Sequence, residues 1–200
     1  SNLLQKFMKK NNIADSHALK SYFINRVEKI VSSKGKKIIG WDEILEGGLA
    51  PNAAVMSWRG MSGGIEAAKM GHEVVMTPNQ HTYLDLYQGD PSVEPPTYSQ
   101  LTLKSAYQFE PVPAGIDASL IKGGQGNLWG ERFATLRTME YMAYPRAWAL
   151  SEVFWSPAKV KDWSFFLQRL PAHFTRANQQ EIAYSQAHLD PIIRVNKENN

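Results

Sequence analysis

The sequence predicts a parallel α/β fold with about four strands and flanking helices. Three observations carry that expectation. Four short apolar runs recur along the chain, at about 36–41, 53–58, 73–77 and 120–128. Helical patterns and turn glycines stand between them. Each run ends on an aromatic or acidic side chain, not on a plain turn. Continuously apolar short strands are those buried on both faces of a parallel sheet, joined by right-handed crossovers. Four such units make half of a (β/α)8 barrel, whose usual length is about 250 residues. A small doubly wound sheet is the alternative.

The elements follow in order. The chain opens "SNLLQKFMKK", already in a helical pattern and without an initiator methionine, which reads as a processing boundary. Residues 16–33 put Leu19, Tyr22, Phe23, Val27, Ile30 and Val31 on one stripe, with Asp15 or Ser16 as N-cap and Gly35 as C-cap. "SGGIEAAKMG" offers a short helix closed by Gly71. Residues 89–120 are a long connection holding Pro91, Pro95, Pro96, Pro111 and Pro113, with one helix near Tyr98 to Phe109. Two helical stretches follow at about 138–153 and 160–180, which Pro145 and Pro171 should kink or interrupt. From about residue 190 the tail is polar and expected to fray.

Composition excludes several classes. The chain has 200 residues, 43% of them apolar and 20% charged, with a net charge of +3, an ordinary globular balance. The basic residues form no stripe interleaved with aromatics, so nucleic-acid binding is not expected. No cysteine is present, which removes disulfides, thiolate metal sites and a cysteine nucleophile. No apolar run approaches the roughly 18 residues of a membrane span. The histidines at 17, 72, 81, 173 and 188 share no ligand spacing, and His81 reads as a loop residue. "GGQGNLWG" lacks the G-x-G-x-x-G and Lys-Ser/Thr signatures of nucleotide loops. No cofactor is expected. Arg146 and Glu152 read as buried structural pairs, and neither Ser57 nor Ser62 has a triad arrangement.

In a parallel α/β fold the functional face lies at the C-terminal ends of the strands. There the sequence places Trp41, then Trp58, then Tyr83 and Asp85, then Trp129 and Glu131. Flat aromatic walls suit the apolar C–H faces of a sugar, and carboxylates accept its hydroxyl hydrogens. The expected ligand is therefore a carbohydrate.

Four segments in order, "KGKKIIGWDEILEGGLAPNAAVMSWRG", "TPNQHTYLDLYQ", "GGQGNLWGE" and "YPRAWALSEVFWS", resemble the second half of the catalytic barrel of glycoside hydrolase family 20, the β-N-acetylhexosaminidases. The resemblance covers nearly the whole chain. It implies the C-terminal half of a (β/α)8 barrel over residues 1–200, and an activity that removes terminal N-acetylglucosamine or N-acetylgalactosamine from glycans. The substrate's own acetamido oxygen would be the nucleophile, the family's exception to the two-carboxylate scheme. It further implies that Trp41, Trp58 and Trp129 wall an acetamido pocket and that Tyr83 hydrogen-bonds the acetamido oxygen. Asp85 and Glu131 would then take the outer hydroxyls, and the longer protein would be exported or lysosomal.

One departure qualifies the resemblance. The family's catalytic Asp-Glu pair follows His-x-Gly-Gly, and this chain begins just after the place for that motif. Its only adjacent pair, Asp42-Glu43, follows Gly40-Trp41 instead and reads as structural. The chain is expected to be inactive alone, and as half a barrel to self-associate. Two rivals stand beside that expectation: a non-catalytic carbohydrate-binding or structural module, and a two-carboxylate glycosidase using Glu43 and Glu131.

Overall fold

The structure, a computed structural model, describes residues 2–46 and 48–186. The polar tail from about 190 lies outside these residues. The chain divides into two compact units. One runs from the chain start to Met76 and adds Val112–Gly123; the other is Thr77–Pro111 together with the chain from Gly124 onward.

The first unit contains α1 (Asn2–Lys10), α2 (Ser16–Ser32), β1 (Ile39–Trp41), β2 (Ala54–Ser57), α3 (Ser62–Lys69) and β3 (Val74–Met76), and nearly all of β4 (Ile121–Gly124). Strands β1 and β2 pair in parallel with Trp41 opposite Met56, and β2 and β3 with Ser57 opposite Met76. The sheet order is β1-β2-β3-β4. An order that never reverses is that of a barrel segment, whereas a doubly wound sheet reverses at its switch point.

Asp15 is the N-cap of α2, its carboxylate accepting the Ala18 N–H at 2.8 Å. Gly35 follows the helix with φ +66°, the left-handed conformation that suits glycine. The predicted apolar stripe is covered only in part: Phe23 is 63% and Ile30 61% exposed. Helix α2 is instead tied to the chain at Glu46 by Lys20 Nζ and Ser21 Oγ.

Helix α3 packs tightly on the sheet because its inner face is small. Gly64, Ala67 and Ala68 are buried, and a Cβ at Gly64 would stand 2.7 Å from the Met76 thioether and 3.0 Å from Ser57 Cβ. Two expectations need correction here. The strands are not buried on both faces; in β2 and β3 fully buried residues alternate with half-buried ones. Val55, Ser57, Val74 and Met76 are sealed, while Ala54, Met56 and Val75 keep part of their surface in solvent. Nor does an α-helix join β1 to β2, since Asp42–Leu45 makes only a 3-10 turn before Pro51.

The second unit holds α4 (Asn79–Thr82), α5 (Leu103–Tyr107), α6 (Leu136–Ala143), α7 (Arg146–Trp155) and α8 (Trp163–Gln179). Its core includes Leu101, Leu103, Tyr107, Met142, Leu150, Phe166 and Leu170. Helix α5 is shorter than expected because Thr102 caps it, accepting the Ser105 N–H. Strand β4 is also shorter than expected, ending at Gly124, and it contains Gly123 with φ +124°. Pro145 separates α6 from α7 as expected, but Pro171 lies inside an unbroken α8. Phe166, Leu170 and Ala177 bury one stripe on both sides of that proline, and tertiary packing holds the helix through it.

Arg146 is wholly buried, and its partners differ from the carboxylate pair expected. Nη1 donates to the carbonyls of Leu86 (2.9 Å) and Leu101 (3.0 Å), and Nη2 to those of Leu84 and Met142 (both 2.6 Å). Glu152 pairs instead with Arg169 and accepts from Tyr107 Oη. Burial pulls the Arg146 pKa down to about 10, with Glu94 and Asp85 opposing, so the guanidinium stays charged at neutral pH. Four carbonyls depend on one planar fork, which an ammonium with three donors cannot replace. Arg146→Lys is therefore expected to cost about 3 kcal/mol or more in urea unfolding; a cost below about 1 kcal/mol would show that the carbonyls find other partners.

Candidate active site

In the first unit, β1 ends at Trp41 and β2 ends one residue before Trp58, both half-buried. The two residues after Trp41 take hold of the end of β2. Asp42, 2% exposed, accepts the backbone N–H of Trp58 at 3.0 Å and of Arg59 at 3.1 Å on Oδ2, and Arg59 Nε at 2.6 Å on Oδ1. Glu43 accepts the Trp58 indole Nε1–H, with both carboxylate oxygens at 3.0 Å. Ser57 closes the same loop: its hydroxyl donates to the Gly60 carbonyl at 2.7 Å and accepts the Gly64 N–H at 2.8 Å. A Cβ at Gly63 would come within 2.8 Å of Asp42 Cβ, so this turn tolerates only glycine there without a shift. Asp42 and Glu43 are thus engaged in holding Trp58 and Arg59. Beside them a cavity of 310 Å³, lined by Asp42, Glu46, Arg59 and Glu66 among others, has no aromatic wall.

In the second unit, the chain after β3 and the chain after β4 pair again. Asn127 N–H donates to Thr82 O at 2.9 Å and Leu84 N–H to Asn127 O at 2.6 Å, a parallel bridge between Tyr83 and Asn127. The Asn127 side chain, itself buried, donates to Thr77 Oγ1 at 2.6 Å. Sequence reasoning passed over Asn127, although a polar side chain at the close of "GGQGN" was the available signal.

That bridge brings four of the predicted residues together. Tyr83 is 5% exposed, and its ring lies 6.1 Å from that of Trp129 at a tilt of 59°. Burial pushes the Tyr83 phenol up to about 12, against the donors on Trp129 and Asn127, so the hydroxyl stays protonated at neutral pH. Asp85 has one carboxylate oxygen, Oδ1, buried without a hydrogen-bond partner. Burial raises its pKa above 3.8; its own and the Trp129 backbone N–H and the Arg146 charge oppose this, while Glu131 adds to it. Arg146 holds the carbonyls on either side, of Leu84 and Leu86, and so fixes the backbone that presents Asp85. Glu131 is exposed, in a 3-10 turn that Trp129 opens.

His81 is not a loop residue. It lies in α4, stacked on Phe109 at 5.3 Å and 11°, with Nδ1 3.2 Å from the Ser105 carbonyl. Among the described residues no three His, Asp or Glu side chains group as a metal site, and no helix is long and apolar enough to cross a membrane.

A protonated buried phenol, an indole and two carboxylates at the C-terminal end of parallel strands can hold a ligand with apolar faces and a hydroxyl rim. A carbohydrate has that form. Comparison with known proteins narrows the class. The profile of Glycosyl hydrolase family 20, catalytic domain, matches residues 1–158. The chain is 46% identical over 187 residues to the beta-hexosaminidase of Porphyromonas gingivalis, covering 91% of this chain and 24% of that protein. It is 30% identical to the beta-N-acetylhexosaminidase of Cellulomonas fimi, covering 72% and 30% respectively. A crystal structure of an exo beta-N-acetylglucosaminidase from Vibrio harveyi in complex with N-acetylglucosamine superimposes with a TM-score of 0.83 at 31% identity, over 92% of this chain and 30% of that one. The chain belongs to glycoside hydrolase family 20, and its fold is part of the family's α/β barrel. It spans about a quarter to a third of the length of these relatives.

The unpartnered Asp85 oxygen has a measurable consequence. Because the folded state raises this carboxyl's pKa, it favours the protonated form, and stability is lost as pH rises through that pKa. Asp85→Asn removes the charge, so it is expected to raise the thermal midpoint near pH 7 and to leave it unchanged near pH 3. A lowered midpoint near pH 7 would mean that the carboxylate is stabilising there.

Proposed function

We propose that this chain supplies the sugar-binding part of the catalytic site of a longer β-N-acetylhexosaminidase. That enzyme releases terminal N-acetylglucosamine or N-acetylgalactosamine from glycans, with retention, through the substrate's own acetamido group. The observation that carries this reading is the buried phenol of Tyr83 beside Trp129.

The roles follow from what each side chain can do. Trp41, Trp58 and Trp129 wall the acetamido group and exclude its unproductive rotamers. Tyr83 donates its hydroxyl hydrogen to the acetamido oxygen and directs it at the anomeric carbon. The oxygen attacks, the bond to the leaving-group oxygen breaks, and the positive charge of the resulting oxazolinium resides on the former amide. Holding an intramolecular nucleophile in line is worth several powers of ten in rate. A phenol that ionises only near 12 remains a donor throughout the range in which such an enzyme works. Asp85 and Glu131 accept hydrogen bonds from the outer hydroxyls, around positions 4 and 6. The raised pKa of Asp85 makes this contact weaken at a higher pH than an ordinary aspartate would as the medium is acidified.

The leaving oxygen needs a proton donor, and Asp42 and Glu43 are otherwise occupied, on Arg59 and on Trp58. The chain by itself is therefore inactive and acts within the longer protein, whose compartment is an exported or lysosomal one.

Release of nitrophenol from an N-acetylglucosaminide tests this. The isolated chain is expected to give none. A longer protein that contains it is expected to give release that falls about a hundredfold in Tyr83→Phe, the loss typical of one donor at a developing charge. Turnover by the isolated chain that is lost in Glu43→Gln would favour the two-carboxylate rival. No turnover by the longer protein would favour a binding module.

A further inference from the structure

Trp58 is held by two adjacent carboxylates that act on different parts of it. Asp42 takes its backbone N–H, and the next one, at Arg59. Glu43 takes the indole N–H, with both oxygens equidistant at 3.0 Å. Fixing the backbone sets where Cβ stands. Fixing Nε1 then sets both side-chain torsions, because the indole nitrogen lies at the far end of the rigid ring. Charged acceptors make the stronger class of hydrogen bond, and here the Glu43 carboxylate faces the N–H of a half-buried indole. Asp42 is held in turn, since it is 2% exposed, is paired with Arg59 and abuts Gly63, and Glu43 follows it directly in the same 3-10 turn.

An aromatic wall discriminates ligands by size only as far as it is rigid. One methylene in a rigid apolar pocket changes kcat/KM by about ten- to two-hundredfold, and a wall that can swing aside forfeits that. With Trp58 assigned to the acetamido pocket as above, we infer that Glu43 is a positioning residue that sets acyl-group selectivity. Its carboxylate locks the Trp58 indole, and the locked ring limits the pocket to a two-carbon acyl group. The adjacent pair that imitates a catalytic Asp-Glu dyad is thus a clamp on the pocket wall.

The test compares kcat/KM for nitrophenyl glycosides carrying N-acetyl and N-butyryl groups, in the longer protein that contains this chain. Glu43→Leu, similar in size but without an acceptor, is expected to reduce the preference for N-acetyl at least about tenfold, chiefly by improving the N-butyryl substrate. Glu43→Gln keeps one acceptor and is expected to retain most of the preference. Trp58→Phe has no ring N–H, so adding Glu43→Leu to it is expected to change the preference no further. A Glu43→Leu enzyme that folds with its preference intact overturns the inference. So does an equal fall on both substrates that Gln does not rescue, or a full Glu43→Leu effect in the Trp58→Phe background. Absence of N-acetylhexosaminidase activity in the unsubstituted protein would instead overturn the pocket assignment itself. The clamp is then read in this chain alone: exchange of the Trp58 indole proton, assigned through Trp58→Phe, is expected to quicken in Glu43→Leu.

Discussion

Where a strand leaves the sheet, its backbone groups lose the ladder and must find other partners, because a buried N–H or C=O without one costs about as much as a lost hydrogen bond. That constraint shapes both halves of this molecule. At the end of β2 the partner is Asp42, which collects the N–H groups of Trp58 and Arg59. In the second unit Arg146 collects the carbonyls of Leu84 and Leu86, and Asn127 bridges to Thr82 and Leu84. Each solution leaves a predicted sugar-binding residue in a fixed place as a by-product. Trp58 sits on the Asp42 clamp, Asp85 between the two carbonyls that Arg146 holds, and Tyr83 on the Asn127 bridge.

The same economy explains the charges. Asp42 is neutralised at close range by Arg59, and Arg146, buried with no carboxylate in its hydrogen-bond shell, gives its two terminal nitrogens to four carbonyl dipoles while its Nε has no partner. Asp85 keeps a buried oxygen, Oδ1, without a partner, together with a raised pKa. A buried carboxylate oxygen without a partner costs stability, which the backbone N–H groups of Asp85 and Trp129 offset only in part. Tyr83 shows the complementary case, a hydroxyl kept protonated by burial.

The parallel class was legible because alternating apolar runs and helices are a long-range pattern, and the places of Trp41 and Trp58 at the ends of β1 and β2 were legible from the apolar runs before them. Boundaries were less so. Strand β4 ends at Gly124, before the apolar run does, and α8 runs through Pro171 because Phe166, Leu170 and Ala177 bury a stripe across it. The partner of Arg146 could not be read, since carbonyl acceptors carry no mark in a sequence, and Glu152 looked the natural choice. Nor could the task of Glu43 be read. That it receives an indole N–H fifteen positions away follows from strand register, not from local spacing. Asn127 was hidden for the same reason.

The central claim is that the aromatic and acidic residues at these strand ends bind one N-acetylated sugar. Intermolecular NOEs from the acetamido methyl of a bound thiazoline-type inhibitor, in the longer protein with its tryptophans assigned, address it most directly. The methyl protons are expected to show contacts to the indole protons of Trp41, Trp58 and Trp129. A tightly bound inhibitor whose methyl touches none of those three rings would contradict the account.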